Sequence, residues 1–115
     1  MTAPARIQLR RAKGWRLPEN TVVVSRPSPW GNPFIVGKDG TQAECVNLYT
    51  LMLGGYFSAG HSPTLLDQAN AFSYVAKNLK DLRGKNLACW CRPDSACHGD
   101  VLLKLANARV CEEAS

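Results

Sequence analysis

One stretch constrains this chain more than any other: Lys85 to Ala106, reading KNLACWCRPDSACHGDVLLKLA. Asn86 to Cys91 reads as a short buried strand, because Leu87, Ala88, Cys89, Trp90 and Cys91 are all apolar or weakly polar. Arg92 to Ala96 does not extend it easily, since Pro93 lacks a donor and Asp94-Ser95 favours a turn. From Cys97 a helix is predicted, with Val101, Leu102, Leu105 and Ala106 recurring at helical spacing. Strand, tight polar loop and helix make half of a parallel α/β unit. Loops of this kind, at the carboxyl end of a strand and the amino end of a helix, are where α/β proteins place ligands.

The rest of the chain extends that pattern. Arg6 to Arg11 alternates loosely, Ile7 and Leu9 apolar among polar neighbours, as a half-exposed edge strand would. Leu17 to Asn20 reads as a turn, and Thr21 to Ser25 (TVVVS) is a β-branched strand. It runs into Arg26 to Phe34 (RPSPWGNPF), whose prolines and Gly-Asn pair specify an ordered loop. Phe34 to Val36 offers a further short strand before the turn at Gly37 to Gly40. Thr41 and Glu44 form a capping box for a helix ending at Gly54-Gly55. A second helix starts at Pro63 or Thr64, carries Leu65, Leu66, Ala69, Phe72, Val75, Ala76 and Leu79, and closes at Gly84. Cys111 to Ser115 reads as a frayed tail. The 115 residues suffice for one core but not two, so residues 1–115 are expected to form a single α/β domain. Its layered fold would have a partly parallel, Rossmann-like sheet with helices packed on it.

Composition bounds the function. No apolar run approaches the roughly 20 residues that span a bilayer, and the start MTAPARIQLRR has no apolar leader region. Five cysteines without a signal peptide point to a reducing cytoplasm. The net charge of +5 favours anionic ligands but falls short of a nucleic-acid signature. A basic cluster of Arg10, Arg11, Lys13 and Arg16 around Trp15 is either a solvated face or an arm that contacts phosphates or bases.

Two loops carry the candidate chemistry. Arg26, Ser28, Trp30, Gly31 and Asn32 follow one strand, and Arg92 to Asp100 follow another, so the two would face each other across a crevice. Amide groups of Ala96 to Gly99 at the positive end of the last helix, with Gly99 allowing close approach and Arg26 and Arg92 at the sides, would receive a phosphate. Trp30 or Trp90 would supply a stacking wall, and His98 and Asp100 an acid or base for glycosidic or phosphoester chemistry. Cys97, at a helix start beside His98, is a nucleophile candidate, and Cys91 with Cys97 a candidate redox pair. A phosphatase-type thiolate at Cys91 is disfavoured, because the arginine such a loop carries is replaced by Cys97.

Zinc on Cys89, Cys91, Cys97 and His98 has suitable donors but awkward spacing. Residues two apart on a strand sit about 6.5–7 Å apart, whereas two sulfurs on one zinc lie within about 4.6 Å. Cys89 would then be a small core residue, and no cofactor is required.

The segments RAKGWRLPENTVVVSRPSPWGNPF and LRGKNLACWCRPDSACHGDVLLKLAN closely resemble a bacterial and phage family catalogued as a domain of unknown function, number 4326. The likeness rests on Gly-Trp-Arg, on Arg-Pro-x-x-Trp-Gly-Asn-Pro-Phe, and on Leu-x-Gly-Lys ahead of Cys-Trp-Cys and Cys-His-Gly-Asp. The Cys-x-Cys…Cys-His element is also similar to one in a second family that reads Cys-His-Arg; Gly99 stands at that Arg position, so an anion-binding role there does not carry over. The resemblance implies a fold neighbourhood and no activity.

The expectation is therefore a small cytoplasmic protein that binds a nucleotide-like or other phosphate-bearing ligand, with or without catalysis on it. The alternative is a phage-type accessory factor that binds nucleic acid or protein and keeps structural or zinc-bound cysteines. No membrane partner is expected, and the oligomeric state is open.

Overall fold

The computed structural model describes residues 4–26, 28–92 and 94–114, with side chains through residue 107. Pro27 and Pro93, both used in reading the loops, lie outside the described residues.

Three strands form one fully parallel sheet. Arg6–Gln8 (β1) and Thr21–Val23 (β2) flank Asn86–Cys89 (β3), in the order β1-β3-β2. The registers pair Ile7 with Ala88 and Val22 with Leu87. A central parallel strand is covered on both faces, which is why its sequence is a continuous apolar run rather than an alternation. Leu87, Ala88 and Cys89 are all buried. The strand stops at Cys89, two residues short of the predicted end. Its last ladder bonds are Val24 N to Ala88 O (2.9 Å) and Leu9 N to Cys89 O (2.8 Å), after which the chain bends at Trp90 and Cys91. Asn20, with φ of 58°, holds the other end of the sheet: its side chain donates to Gly84 O, and its carbonyl accepts from Asn86 N. Asparagine tolerates that left-handed conformation better than most residues.

Helix Gln42–Leu53 (α1) carries the predicted capping box on Thr41 and Glu44, and Leu65–Asn78 (α2) has a second one on Thr64 and Asp67. α2 passes into a tight turn at Leu79–Leu82 before Gly84, whose φ is 76°. The last helix, His98–Ala114 (α3), continues through the segment read as a frayed tail. Phe34 to Val36 forms no strand; Val36 makes only an isolated bridge to Gly40 that closes the turn between them. Among the described residues no helix is long and apolar enough to cross a membrane.

The core joins Val24, Phe34, Tyr49, Met52, Leu82, Leu87 and Leu102. α2 contributes less than its pattern implies. Leu65 and Leu66 are exposed, whereas Gln68 is fully buried. The Gln68 amide accepts from Ser58 N and donates to Ser58 O and Pro63 O, satisfying backbone groups of the α1–α2 connection that would otherwise be costly to bury.

Asp39 pins that connection from below. Its carboxylate accepts from Ile35 N (2.8 Å), Ser62 N (2.6 Å) and the Ser62 hydroxyl. Desolvation opposes ionisation, but the Ser62 hydroxyl and the backbone donors outweigh it and hold the group down at about 2. A depressed carboxyl stabilises the fold above its ordinary value of 3.8, and that contribution is lost as the pH falls toward about 2. Asp39→Asn should therefore melt below the wild type at neutral pH, with the two melting temperatures converging across that acidic window. A constant gap from pH 7 to pH 2 would contradict the assignment.

Candidate functional site: a hollow between two loops

β2 delivers the first wall. After Val24 the chain turns at Ser25, and the loop closes on itself through Ser28 N to Ser25 O and Gly31 N to Ser28 O, both 2.9 Å. Gly31 is required by contact, not by φ: a Cβ there would lie 2.5 Å from Arg26 Cγ. Asn32 spends its side chain on the loop, accepting from Phe34 N and donating to Cys45 O at 3.0 Å. These bonds leave Arg26 exposed, its guanidinium without a hydrogen-bond or ion-pair partner among the described residues.

The second wall follows β3 and is held by Arg6. Its Nε donates to Asp100 Oδ1 (2.9 Å), Nη2 to Arg92 O (2.9 Å) and Ser95 O (3.0 Å), and Nη1 to Cys91 O (3.4 Å) and Cys89 Sγ (3.7 Å). A buried guanidinium must satisfy its donors, and here it does so by gathering the carbonyls of one loop. Gln42, the first residue of α1, completes the tie, donating to Ala96 O (2.5 Å) and lying 3.4 Å from Cys91 Sγ.

Between the walls lies a half-open hollow of about 210 Å³, lined from the first loop by Ser25, Arg26, Asn32 and Phe34, and from the second by Cys89, Trp90, Cys91 and His98. α1 adds Gln42, Cys45 and Val46. Trp90 is 47% exposed, and the Arg11 guanidinium carbon stands 4.8 Å from its ring centre.

Because β3 ends early, the thiols converge. The sulfurs of Cys89, Cys91 and Cys97 all lie within 4.8 Å of one another, and Cys89 and Cys97 are 3.0 Å apart. The objection from strand spacing assumed that Cys91 continues β3. It does not, and the three-thiol group could hold a metal ion. The hydrogen bond with Cys97, together with Arg6 and the Cys91 amide, outweighs desolvation and pushes Cys89 down to about 5. The same bond, together with burial, pushes Cys97 up. The two thiols titrate as a pair, and the nearby guanidinium favours negative charge on the Cys89 side.

His98 stands apart from that group. Its Nε2 is 2.7 Å from Val24 O, so Nε2 carries the proton, and Nδ1 faces Cys97 Sγ at 3.9 Å. The ring packs edge-on against Tyr49 at 5.3 Å, and burial lowers its pKa, leaving a neutral imidazole.

The structure thus brings Arg26, Asn32 and His98 into one hollow with Cys89 and Cys91, and sends other candidates elsewhere. Trp30 is a core residue, 6% exposed and edge-on to Tyr74 at 5.0 Å, and of the two tryptophans it is Trp90 that lines the hollow. Ser28 serves the loop, its Oγ accepting from Trp30 N. Arg92 offers its carbonyl to Arg6, and Asp100 is paired with Arg6 rather than with a ligand. Gly99 is buried against Arg6 and Val24, and its N–H is turned toward Cys97 Sγ; the Asp100 N–H bonds Cys97 O, so neither amide is left for an anion. Cys97 sits behind the lining. Sequence reasoning missed Arg6 and Gln42 altogether: an arginine on an edge strand and a glutamine after an N-cap look like surface residues until the register sets them over the cysteine loop.

If Arg6 holds this loop, Arg6→Met should cost roughly 1.5–3 kcal/mol, the range for hydrogen bonds to a charged group. Asp100→Asn should cost under about 1 kcal/mol, because its carboxylate is half exposed. Urea titration of both variants checks this; equal losses would move the anchor from the carbonyls to the ion pair.

No curated protein and no solved structure matches the chain. A family model described as a domain of unknown function, DUF4326, matches residues 7–108, which takes in β2, β3, β1 apart from Arg6, both loops and the start of α3. The chain belongs to that family.

Proposed function

We propose that the hollow binds a compact, phosphate-bearing ligand of the nucleotide type in a reducing cytoplasmic setting. One observation carries this reading: a guanidinium with no partner among the described residues, Arg26, and an exposed indole, Trp90, line the same concave surface. A guanidinium pairs with a phosphate through two parallel bonds, and an indole face accepts a base or sugar ring. The net charge of +5 draws such a ligand in. At about 210 Å³ the hollow is smaller than the roughly 300–1,000 Å³ usual for ligand pockets. A mononucleotide, with part of its body in solvent, suits it better than a dinucleotide.

Binding is better supported than turnover. The acid–base pair considered for glycosidic or phosphoester chemistry is committed elsewhere, His98 to Val24 O and Asp100 to Arg6.

A second reading keeps the accessory role, with nucleic acid as partner, Arg10, Arg11, Lys13 and Arg16 as its contact arm, and zinc on the cysteines. The placement of Arg11 over Trp90, at the edge of the hollow, favours it.

Calorimetric titration with AMP, adenosine and inorganic phosphate tests both readings. AMP should bind more tightly than adenosine, and Arg26→Ala and Trp90→Ala should each weaken it about tenfold or more. If none of the three binds at millimolar concentration while single-stranded nucleic acid binds with a steep salt dependence, the accessory reading replaces the first.

A further inference from the structure

We infer that Cys89, Cys91 and Cys97 form a three-thiolate site for a soft divalent ion of the zinc type, open toward the hollow, where an anionic ligand completes the coordination. The first half stands on the thiols alone. The second half rests on the reading of the hollow as an anion site.

The spacing suits a metal. Sulfurs bound to one zinc at about 2.3 Å lie about 3.8 Å apart in a tetrahedron and never more than about 4.6 Å. Here all three are within 4.8 Å, with one contact at 3.0 Å, so shifts of less than about 1 Å per sulfur would seat an ion.

The surroundings are a second, independent observation. Each sulfur has its own N–H group: Arg6 Nη1 at 3.7 Å from Cys89, Gln42 Nε2 at 3.4 Å from Cys91, and Gly99 N at 3.4 Å from Cys97. Neutral thiols packed as hydrophobes need no such donors, because a thiol is only a weak acceptor. Thiolates bound to a metal do need them, and outer partners of this kind hold the ligands in place. Three thiolates on a divalent ion leave one negative charge, and the Arg6 guanidinium lies against it.

The open position follows from the lining. Cys89 and Cys91 border the hollow, whereas Cys97 lies behind them. No fourth histidine, cysteine, aspartate or glutamate joins the group among the described residues. Three protein ligands plus one exchangeable position is the arrangement of a reactive zinc site, whereas a purely structural one is closed. The exchangeable position would face the space that Arg26 also borders, so one phosphate oxygen could meet the ion while the guanidinium holds the others.

Cobalt(II) titration of the reduced full-length protein tests this. One equivalent should produce strong thiolate-to-cobalt charge-transfer absorption and the visible bands of four-coordinate cobalt, and zinc should displace it. Cys91→Ser should lose the visible bands. Gln42→Leu, which keeps all three thiols, should bind zinc about 10–100-fold more weakly. AMP and inorganic phosphate should each change the visible bands.

Failure of the wild type to bind cobalt or zinc would overturn the metal site and leave the anion hollow standing on its own titrations. Metal binding with bands indifferent to AMP, while AMP still binds the protein, would overturn the shared site alone. Metal binding with no AMP binding at all would sink the hollow reading and the shared site together, and would leave three thiolates around an ion.

Discussion

A buried guanidinium cannot be placed where its donors go unmet, and Arg6 meets its own by drawing in the loop after β3. The consequence is larger than one side chain. With the carbonyls of Cys91, Arg92 and Ser95 fixed on a single cation, the chain must turn sharply after Cys89 and come back toward the start of α3. That turn converts three cysteines that would be scattered along a strand and a helix into one cluster. It also leaves Trp90 with nowhere to pack inside, so the indole stands at the edge of the hollow. Loop shape, thiol geometry and exposed aromatic are three results of one electrostatic demand.

The other wall is made by steric economy instead of charge. Gly31 lets the Arg26–Phe34 loop fold back onto Arg26, and Asn32 closes it against α1 through Cys45 O. Tyr49 then buries its hydroxyl by donating to Trp30 O at 3.0 Å and its ring against His98, linking the first loop to the start of α3 through a single α1 residue. The separation of the walls is therefore set by packed core atoms. A hollow so framed is pre-shaped, which reduces the ordering cost that a small ligand would otherwise bear.

How far this was legible depends on whether a residue answers to local or to distant partners. The β-branched run at Thr21, the Thr41 capping box and the continuous apolar run at Leu87 are local signals, and each became the element it implied. Both loops were legible as neighbours because each follows a strand of the same parallel sheet. What sequence could not supply was the partner 80 or more residues away. Arg6 reads as a polar tooth on an edge strand until β1 is known to lie beside β3. Trp30 and Trp90 are both tryptophans in loops, and only the core around Tyr74 decides that the first is buried and the second is not. The zinc spacing argument failed for a similar reason: it took Cys91 to be in the strand, and strand length is decided by where the neighbours leave, at Leu9 and Val24.

The cysteine cluster is also arranged so that gaining or losing an ion would ask little of the scaffold. Without metal, the Cys89 and Cys97 sulfurs are in hydrogen-bond contact at 3.0 Å, and Arg6 donates to the Cys89 side. With a divalent ion bound, the remaining thiol protons of all three cysteines would leave, the Cys89 and Cys97 sulfurs would part by less than about 1 Å, and the same three N–H donors would stay in position. Sulfur charge in either form would lie beside the guanidinium that built the loop, which also holds the half-exposed Asp100 carboxylate. The donors that order the loop are thus also the ones that make its sulfurs good ligands. An arginine at position 6 is worth more here than its hydrogen bonds alone, since a neutral donor would hold the same carbonyls and leave the sulfur charge unmatched.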